Sequence, residues 1–173
     1  MIIKFPNEKL ESVSGEVVGN LTLDEVSKLC ERMRKECWEV GGFGISAVQI
    51  GEPFRIFGIY SQAVRDLVFF IDPEIFHLAG PSIENEGCLS IPGYEWKVER
   101  FYEVGLNYFD LNFNLMSDKF VGIEARVIQH EMDHLDGILL VDSLSSDDFD
   151  IFVSYFLGKK PVGEYDPPLI KMT

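Results

Sequence analysis

The densest chemistry in the chain lies in six consecutive residues, Gln129-His130-Glu131-Met132-Asp133-His134. Histidines four positions apart are just over one turn apart on an α-helix, so their imidazoles project side by side and can hold one metal ion. Glu131 falls on the adjoining face. A carboxylate there can act on a water beside the ion without being a ligand, which is the geometry a general base needs. The chain has only three histidines, and the third, His77, has no such neighbour and reads as structural.

Two imidazoles leave a metal short of a third protein ligand, and no further His or Glu follows at the short spacing of many metalloproteases. The segment Glu86-Gly87-Cys88-Leu89-Ser90-Ile91-Pro92-Gly93 offers a thiol among small residues, on no apolar helix stripe and in no evident strand interior. Alone, Cys88 reads as a buried thiol. Beside the histidine pair it reads as the group completing a Cys/His/His set with one position open for water. A third segment, Gly42-Phe43-Gly44-Ile45-Ser46-Ala47-Val48-Gln49-Ile50-Gly51, follows a helix, lacks the last glycine of the dinucleotide pattern and has no following lysine, so it is a poor phosphate loop. Its polar group is Gln49. A neutral amide donor suits a developing oxyanion, although taken alone Gln49 reads better as a capping or surface side chain.

These residues need elements to hold them. Thr22 and Glu25 have capping-box spacing, and Val26, Leu29, Cys30, Met33 and Cys37 recur at helical intervals until Gly41-Gly42, which predicts a helix with two structural, buried cysteines. Phe54 to Tyr60 and Leu67 to Ile71 read as buried strands, the second stopped by Asp72-Pro73. Val104 to Phe109 reads as a third, turning at Asp110-Leu111-Asn112-Phe113-Asn114 into a returning strand near Phe120. The helix that bears the histidines spans about Ile123 to Asp136 and is closed by Gly137. A last short helix is capped by Ser145 or Ser146, with Asp147, Asp148 and Asp150 in its first turn and Phe149, Phe152 and Phe156 as a docking face. Residues 1–157 form one domain on this reading, and 158–173 an extended tail.

With 173 residues and 46% hydrophobic content the chain can bury one core, which excludes disorder over its length. Fifteen Lys+Arg against 29 Asp+Glu give a net charge of -14, which argues against general binding to nucleic acid or anionic lipid. Three cysteines, an odd count, suit reduced thiols rather than a disulfide framework. No apolar stretch reaches membrane-spanning length, and Met1-Ile2-Ile3-Lys4-Phe5-Pro6-Asn7 resembles neither a signal nor a transit peptide. The expectation is a cytoplasmic protein, or an organellar one if a presequence was removed.

In this order, Gly42-Phe43-Gly44-Ile45-Ser46-Ala47-Val48-Gln49, Glu86-Gly87-Cys88-Leu89-Ser90 and Gln129-His130-Glu131-Met132-Asp133-His134 resemble the three signature motifs of peptide deformylases. The likeness runs from Phe5-Pro6-Asn7 to about Asp142. It implies an α+β fold in which mixed or antiparallel β-sheets surround a central helix carrying the His-Glu-x-x-His motif. It implies hydrolytic removal of the formyl group from the N-terminal formyl-methionine of newly synthesised polypeptides. By this resemblance Cys88, His130 and His134 are the metal ligands and Glu131 the acid-base residue, while Gln49 and the backbone N–H of Leu89 stabilise charge on the formyl oxygen. Phe43, Gly44 and Gly87 would contact the peptide backbone, and Val127 the methionine side chain. The family works with ferrous iron, and zinc, nickel or cobalt can occupy the site. Arg100 is expected to pair with Asp133 behind the ligand helix. Tyr94-Glu95-Trp96 stands where many members have Arg-Gly, and Phe113 where many have a turn glycine. Bacterial relatives often dock to the ribosome through a longer, basic last helix, a route the short acidic helix here argues against. A zinc peptidase would share the ligand helix, and a binding protein of deformylase descent would share the ligands without needing Glu131 or Gln49.

Overall fold

The computed structural model describes residues 1–158 and the backbone of 170–171. Thr22 opens the first helix as its spacing to Glu25 requires. Its hydroxyl accepts from the Glu25 N–H (3.3 Å), and the Glu25 carboxylate accepts from the Thr22 N–H (2.9 Å). Helix α1 then runs Leu23–Val40 and buries the predicted stripe, Val26, Leu29, Cys30, Met33 and Cys37. Behind it come β1 (Gly44–Ser46), a 3-10 turn (Ala47–Ile50) and β2 (Ile56–Ser61).

Strand β3 departs from expectation. It does not stop at Asp72-Pro73 but spans Asp66–Cys88, and β4 spans Ile91–Phe109. Proline has no N–H to give a ladder, and the chain absorbs it in a register shift between Ile71 and Glu74. Asp72 sits there with φ 44°, its carboxylate accepting from the Val17 and Val18 N–H groups at 2.8 Å each. Past that irregularity β3 and β4 form one long antiparallel ribbon whose tip, where Cys88 pairs with Ile91, carries Leu89 and Ser90. A further shift, between Gly87 and Cys88, lifts residues 92–94 out of the ladder. The Glu86–Gly93 segment is therefore strand and hairpin tip, although no strand interior is evident from its residues.

The expected turn after Phe109 leads into β5 (Leu115–Val121). Phe113 takes the left-handed conformation (φ 61°) of a turn glycine, while Asp110 Oδ1 accepts from the Asn112 and Asn114 N–H groups at 2.8 and 2.9 Å. The strands form one sheet in the order β1-β2-β3-β4-β5, antiparallel throughout, with β6 (Ile170–Lys171) added parallel to β4 at Val98 and Glu99. The rest of the predicted tail lies outside the described residues.

Helix α2 (Ile123–Leu135) packs Ala125, Ile128, Met132 and Leu135 against Phe57, Phe70, Val104 and Leu106 of the sheet. Gln129 fixes its height on β4: its side chain accepts from the Phe101 N–H (2.9 Å) and donates to the Phe101 carbonyl (2.8 Å). Helix α3 (Ser146–Phe156) is capped by Ser145. As expected, its aromatic face docks: Phe149, Phe152 and Phe156 surround Phe5, with ring centroids 5.7–6.2 Å apart, and Phe152 meets Trp96 at 5.4 Å. That cluster packs against the β3–β4 tip, where Cys88 and Ile91 belong to the same core.

Candidate metal centre

Three pieces of chain converge on one point. The β3–β4 tip brings Cys88, α2 brings His130 and His134, and the 3-10 turn after β1 brings Gln49. Donor atoms of Cys88, His130 and His134 all lie within 4.8 Å of one another. Cys88 Sγ and His134 Nε2 are 3.2 Å apart, and both residues are buried. His130 turns Nδ1 to Glu86 Oε2 (3.3 Å), which leaves Nε2 as the nitrogen able to meet an ion.

Gln49 is held so that only its amide nitrogen can face these groups. Oε1 accepts from the Ser46 N–H (3.0 Å), which leaves Nε2 to donate to Ser90 Oγ (3.2 Å) and to lie 3.7 Å from Cys88 Sγ. Gln49 does cap the 3-10 turn, through that Ser46 contact, but it is buried rather than on the surface, and its donor is directed at the site.

Glu131 is buried, and its Oε2 has no hydrogen-bond partner among the described residues. Strand β1 crosses directly above it. A Cβ on Gly44 would come within 2.5 Å of both Glu131 Oε1 and Val127 Cγ1, so only glycine lets the strand pass this close. Burial pushes the Glu131 carboxyl up, to about 7. Burial also raises the thiols of Cys30 and Cys37 to about 12. At Cys88 the same burial is outweighed by charge and hydrogen bonds from His134 and His130, which hold the thiol well below its ordinary range. Cys88 is thus poised as the thiolate that metals take, and Cys30 and Cys37 remain packing residues as expected.

A cleft of about 830 Å³ opens over this cluster. Phe43, Gly44, Gly87, Leu89 and Val127 line it together with Gln49, Cys88, His130 and Glu131, while His134 lies behind them. Phe43 stands 66% exposed at the mouth. Lys4 donates from Nζ to the Leu89 carbonyl (2.6 Å). His77 is elsewhere, 3.2 Å from Glu103, as a structural histidine should be.

Sequence reasoning missed the polar support behind the ligands. Glu86 is buried and binds two arginines: Arg100 gives it a two-pronged contact (3.0 Å each), and Arg126 Nη1 donates to Oε1 (2.7 Å). Burial would raise this carboxyl, but hydrogen bonds from His130 and Arg100 bring it down to about 2. Arg126 also donates to the carbonyls of Val98 (3.0 Å) and Ser82 (2.9 Å). Its signal was present: it precedes His130 by one helical turn, a charge on the face that must be buried. The expected Arg100–Asp133 pair is present at 2.6 Å. Arg100→Ala and Asp133→Ala should be non-additive in denaturant unfolding, with a coupling of about 0.5–3 kcal/mol; strict additivity would show that the contact contributes nothing.

Comparison with known proteins agrees over nearly the whole chain. A family model described as polypeptide deformylase matches residues 1–150. A peptide deformylase of Rhodopseudomonas palustris is 40% identical over 152 residues, covering 83% of this chain and 85% of that one. One from Thermodesulfovibrio yellowstonii is 33% identical over 162 residues, covering 92% and 97%. Among solved structures, the Plasmodium falciparum peptide deformylase in complex with an inhibitor superposes with a TM-score of 0.78 at 32% identity, covering 92% of this chain and 97% of that one. An Acinetobacter baumannii class I type b enzyme with Met-Ala-Ser bound gives 0.76 at 28% identity, covering 83% and 97%.

Proposed function

The chain belongs to the peptide deformylase family and is a metal-dependent amidohydrolase that removes the formyl group from N-terminal formyl-methionine; we propose that Cys88, His130 and His134 hold its metal and that Glu131, Gln49 and Leu89 serve the reaction beside it. The observation that carries the assignment is the meeting of a thiol favoured as thiolate, two imidazoles and a buried carboxylate oxygen with no partner of its own. A mixed sulfur and nitrogen donor set of this kind fits a divalent transition metal. When bound, the ion supplies Lewis acidity, polarising the formyl oxygen and making water acidic enough to attack at neutral pH.

The chain's own groups do the rest. Glu131 takes the proton of the attacking water at Oε2 and delivers it to the departing amine, which leaves as the free N-terminus of the polypeptide. Gln49 Nε2, already aimed by Ser46, donates to the formyl oxygen as charge collects there, and the Leu89 N–H donates beside it. Phe43, Gly44 and Gly87 flank the peptide backbone as neighbouring strands would, and Val127 and Ile123 offer an apolar wall to the methionine side chain. Met-Ala-Ser, the tripeptide bound by the Acinetobacter enzyme, is what deformylation of formyl-Met-Ala-Ser leaves behind.

We assign ferrous iron as the working ion, with zinc, nickel or cobalt able to take the same donors. General affinity ranks zinc above Fe(II), so purification in air favours the wrong ion and exposes the Cys88 thiolate to oxidation. We take residues 1–157 as a single catalytic domain working in the cytoplasm, or in an organelle that starts translation with formyl-methionine. The three cysteines are free thiols, and no helix among the described residues is long and apolar enough to cross a membrane. Ribosome docking through α3 is not part of the proposal: its first turn carries Asp147 and Asp148, and its aromatic face is already occupied by Phe5.

The test is formate release from a short formyl-methionyl peptide by anaerobically prepared, Fe(II)-loaded protein. Metal-free protein should release none, and Gln49→Leu should turn over on the order of a hundredfold more slowly while keeping its metal. No formate from folded, loaded protein would overturn the reading. Unchanged turnover in Gln49→Leu would remove that residue from the mechanism.

A further inference from the structure

Charge on the cleft rim is unevenly answered. Of the charged groups lining the cleft, Glu86 and Arg126 are buried and paired with each other, His130 and Glu131 belong to the reacting centre, and Lys4 is tied to the Leu89 carbonyl. That leaves Glu95. It is exposed, and among the described residues its side chain has neither an ion pair nor a hydrogen bond. Lys97 shares its face of β4 but does not line the cleft.

Glu95 also stands at a defined place along a bound peptide. It is the ladder partner of Gly87, and a Cβ on Gly87 would lie 3.6 Å from Glu95 Cγ. A chain laid beside Gly87 with its formyl end at Cys88 advances roughly 3.3 Å per residue, which puts its first residue level with Gly87 and Glu95 and its second and third within the combined reach of the Glu95 carboxylate and a long side chain such as lysine. The cleft is in the range of sites that enclose ligands larger than one residue.

We propose that Glu95 sets a charge preference in the substrate, favouring formyl-methionyl peptides with a basic side chain at the second or third position over those with an acidic one. The proposal rests on the deformylase reading of the same site. Glu95 touches no reacting atom. The preference therefore appears in KM rather than kcat, and it fades with added salt as an exposed pair does.

The experiment compares kcat/KM for C-terminally amidated formyl-Met-Ala-Lys, formyl-Met-Lys-Ala and their glutamate counterparts on the Fe(II) enzyme. Each variant serves as its own reference, because only the Lys:Glu ratio is read. The parent should favour a lysine peptide by roughly two- to fivefold at low salt, Glu95→Gln should bring the ratio to about one, and Glu95→Lys should invert it. Equal rates on all four peptides in the parent would overturn the Glu95 assignment and leave the deformylase reading standing. A basic preference that survives Glu95→Gln would also overturn it, since the diffuse negative charge of the whole protein would then be the cause. Formate from none of the peptides would overturn both.

Discussion

Glu131→Ala is expected to retain its fold and its metal yet to deformylate about 10²–10⁴-fold more slowly, the usual contribution of a positioned acid-base group. The carboxylate is neither a hub of the packing nor one of the three proposed ligands. It is held between α2 and β1 with one oxygen unsatisfied, so removing it takes away a buried oxygen that has no hydrogen-bond partner among the described residues. Unfolding stability should consequently be unchanged or slightly raised, the signature of a residue kept for chemistry at some expense to the fold. Glu131→Gln preserves the shape and should be as slow, because an amide cannot accept and return a proton. Metal content at parent level with kcat within threefold of the parent would remove Glu131 from the proton transfer.

Glu86→Ala should have the opposite profile. It leaves Arg126 and Arg100 buried and facing a void; Arg100 retains the close carboxylate of Asp133 (2.6 Å), whereas Arg126 retains only the exposed Glu84 at 3.9 Å. Breaking a buried ion pair from one side costs about 3–5 kcal/mol, because the orphaned charge remains. His130 loses the group that orients its ring, so metal affinity should fall by about 10–100-fold as well. Denaturant titration and competition with a chelator read the two effects separately. Glu86→Gln, which keeps the volume and one acceptor, should recover part of the stability. A loss below 1 kcal/mol in Glu86→Ala would show that water solvates the arginines and that the network is not the support described.

Residue spacing made the histidine-bearing helix legible, since histidines four apart have one geometric meaning on an α-helix. The Thr22 capping box and the α3 aromatic face were legible for the same reason, being local patterns with local consequences. The long β3–β4 ribbon was not. Its outer half carries Glu84, Asn85, Lys97 and Glu99, polar residues that obscure the alternation, and Asp72-Pro73 is a stop signal that tertiary contacts to Val17 and Val18 override. Arg126 could be placed on the buried face of its helix, but its partner could not, because the contact with Glu86 joins charges 40 residues apart that no spacing links. Ser46 and Gln49 have capping-box spacing, which accounts for the Ser46 contact, but no spacing announces that the amide nitrogen then meets Ser90 and Cys88.

The N-terminal segment ties these parts together: the Ile3 N–H donates to the Gln49 carbonyl (2.7 Å) and the Phe5 N–H to the Ser90 carbonyl (2.9 Å). Gln49 reaches Cys88 across 39 residues and His134 across 85, so these closures at the centre join distant parts of the chain. Each such contact closes a long loop and carries the entropic cost of doing so. The three proposed ligands are brought together only by the finished fold, so an ion held there would favour that fold, and the concentration of free metal would set by how much.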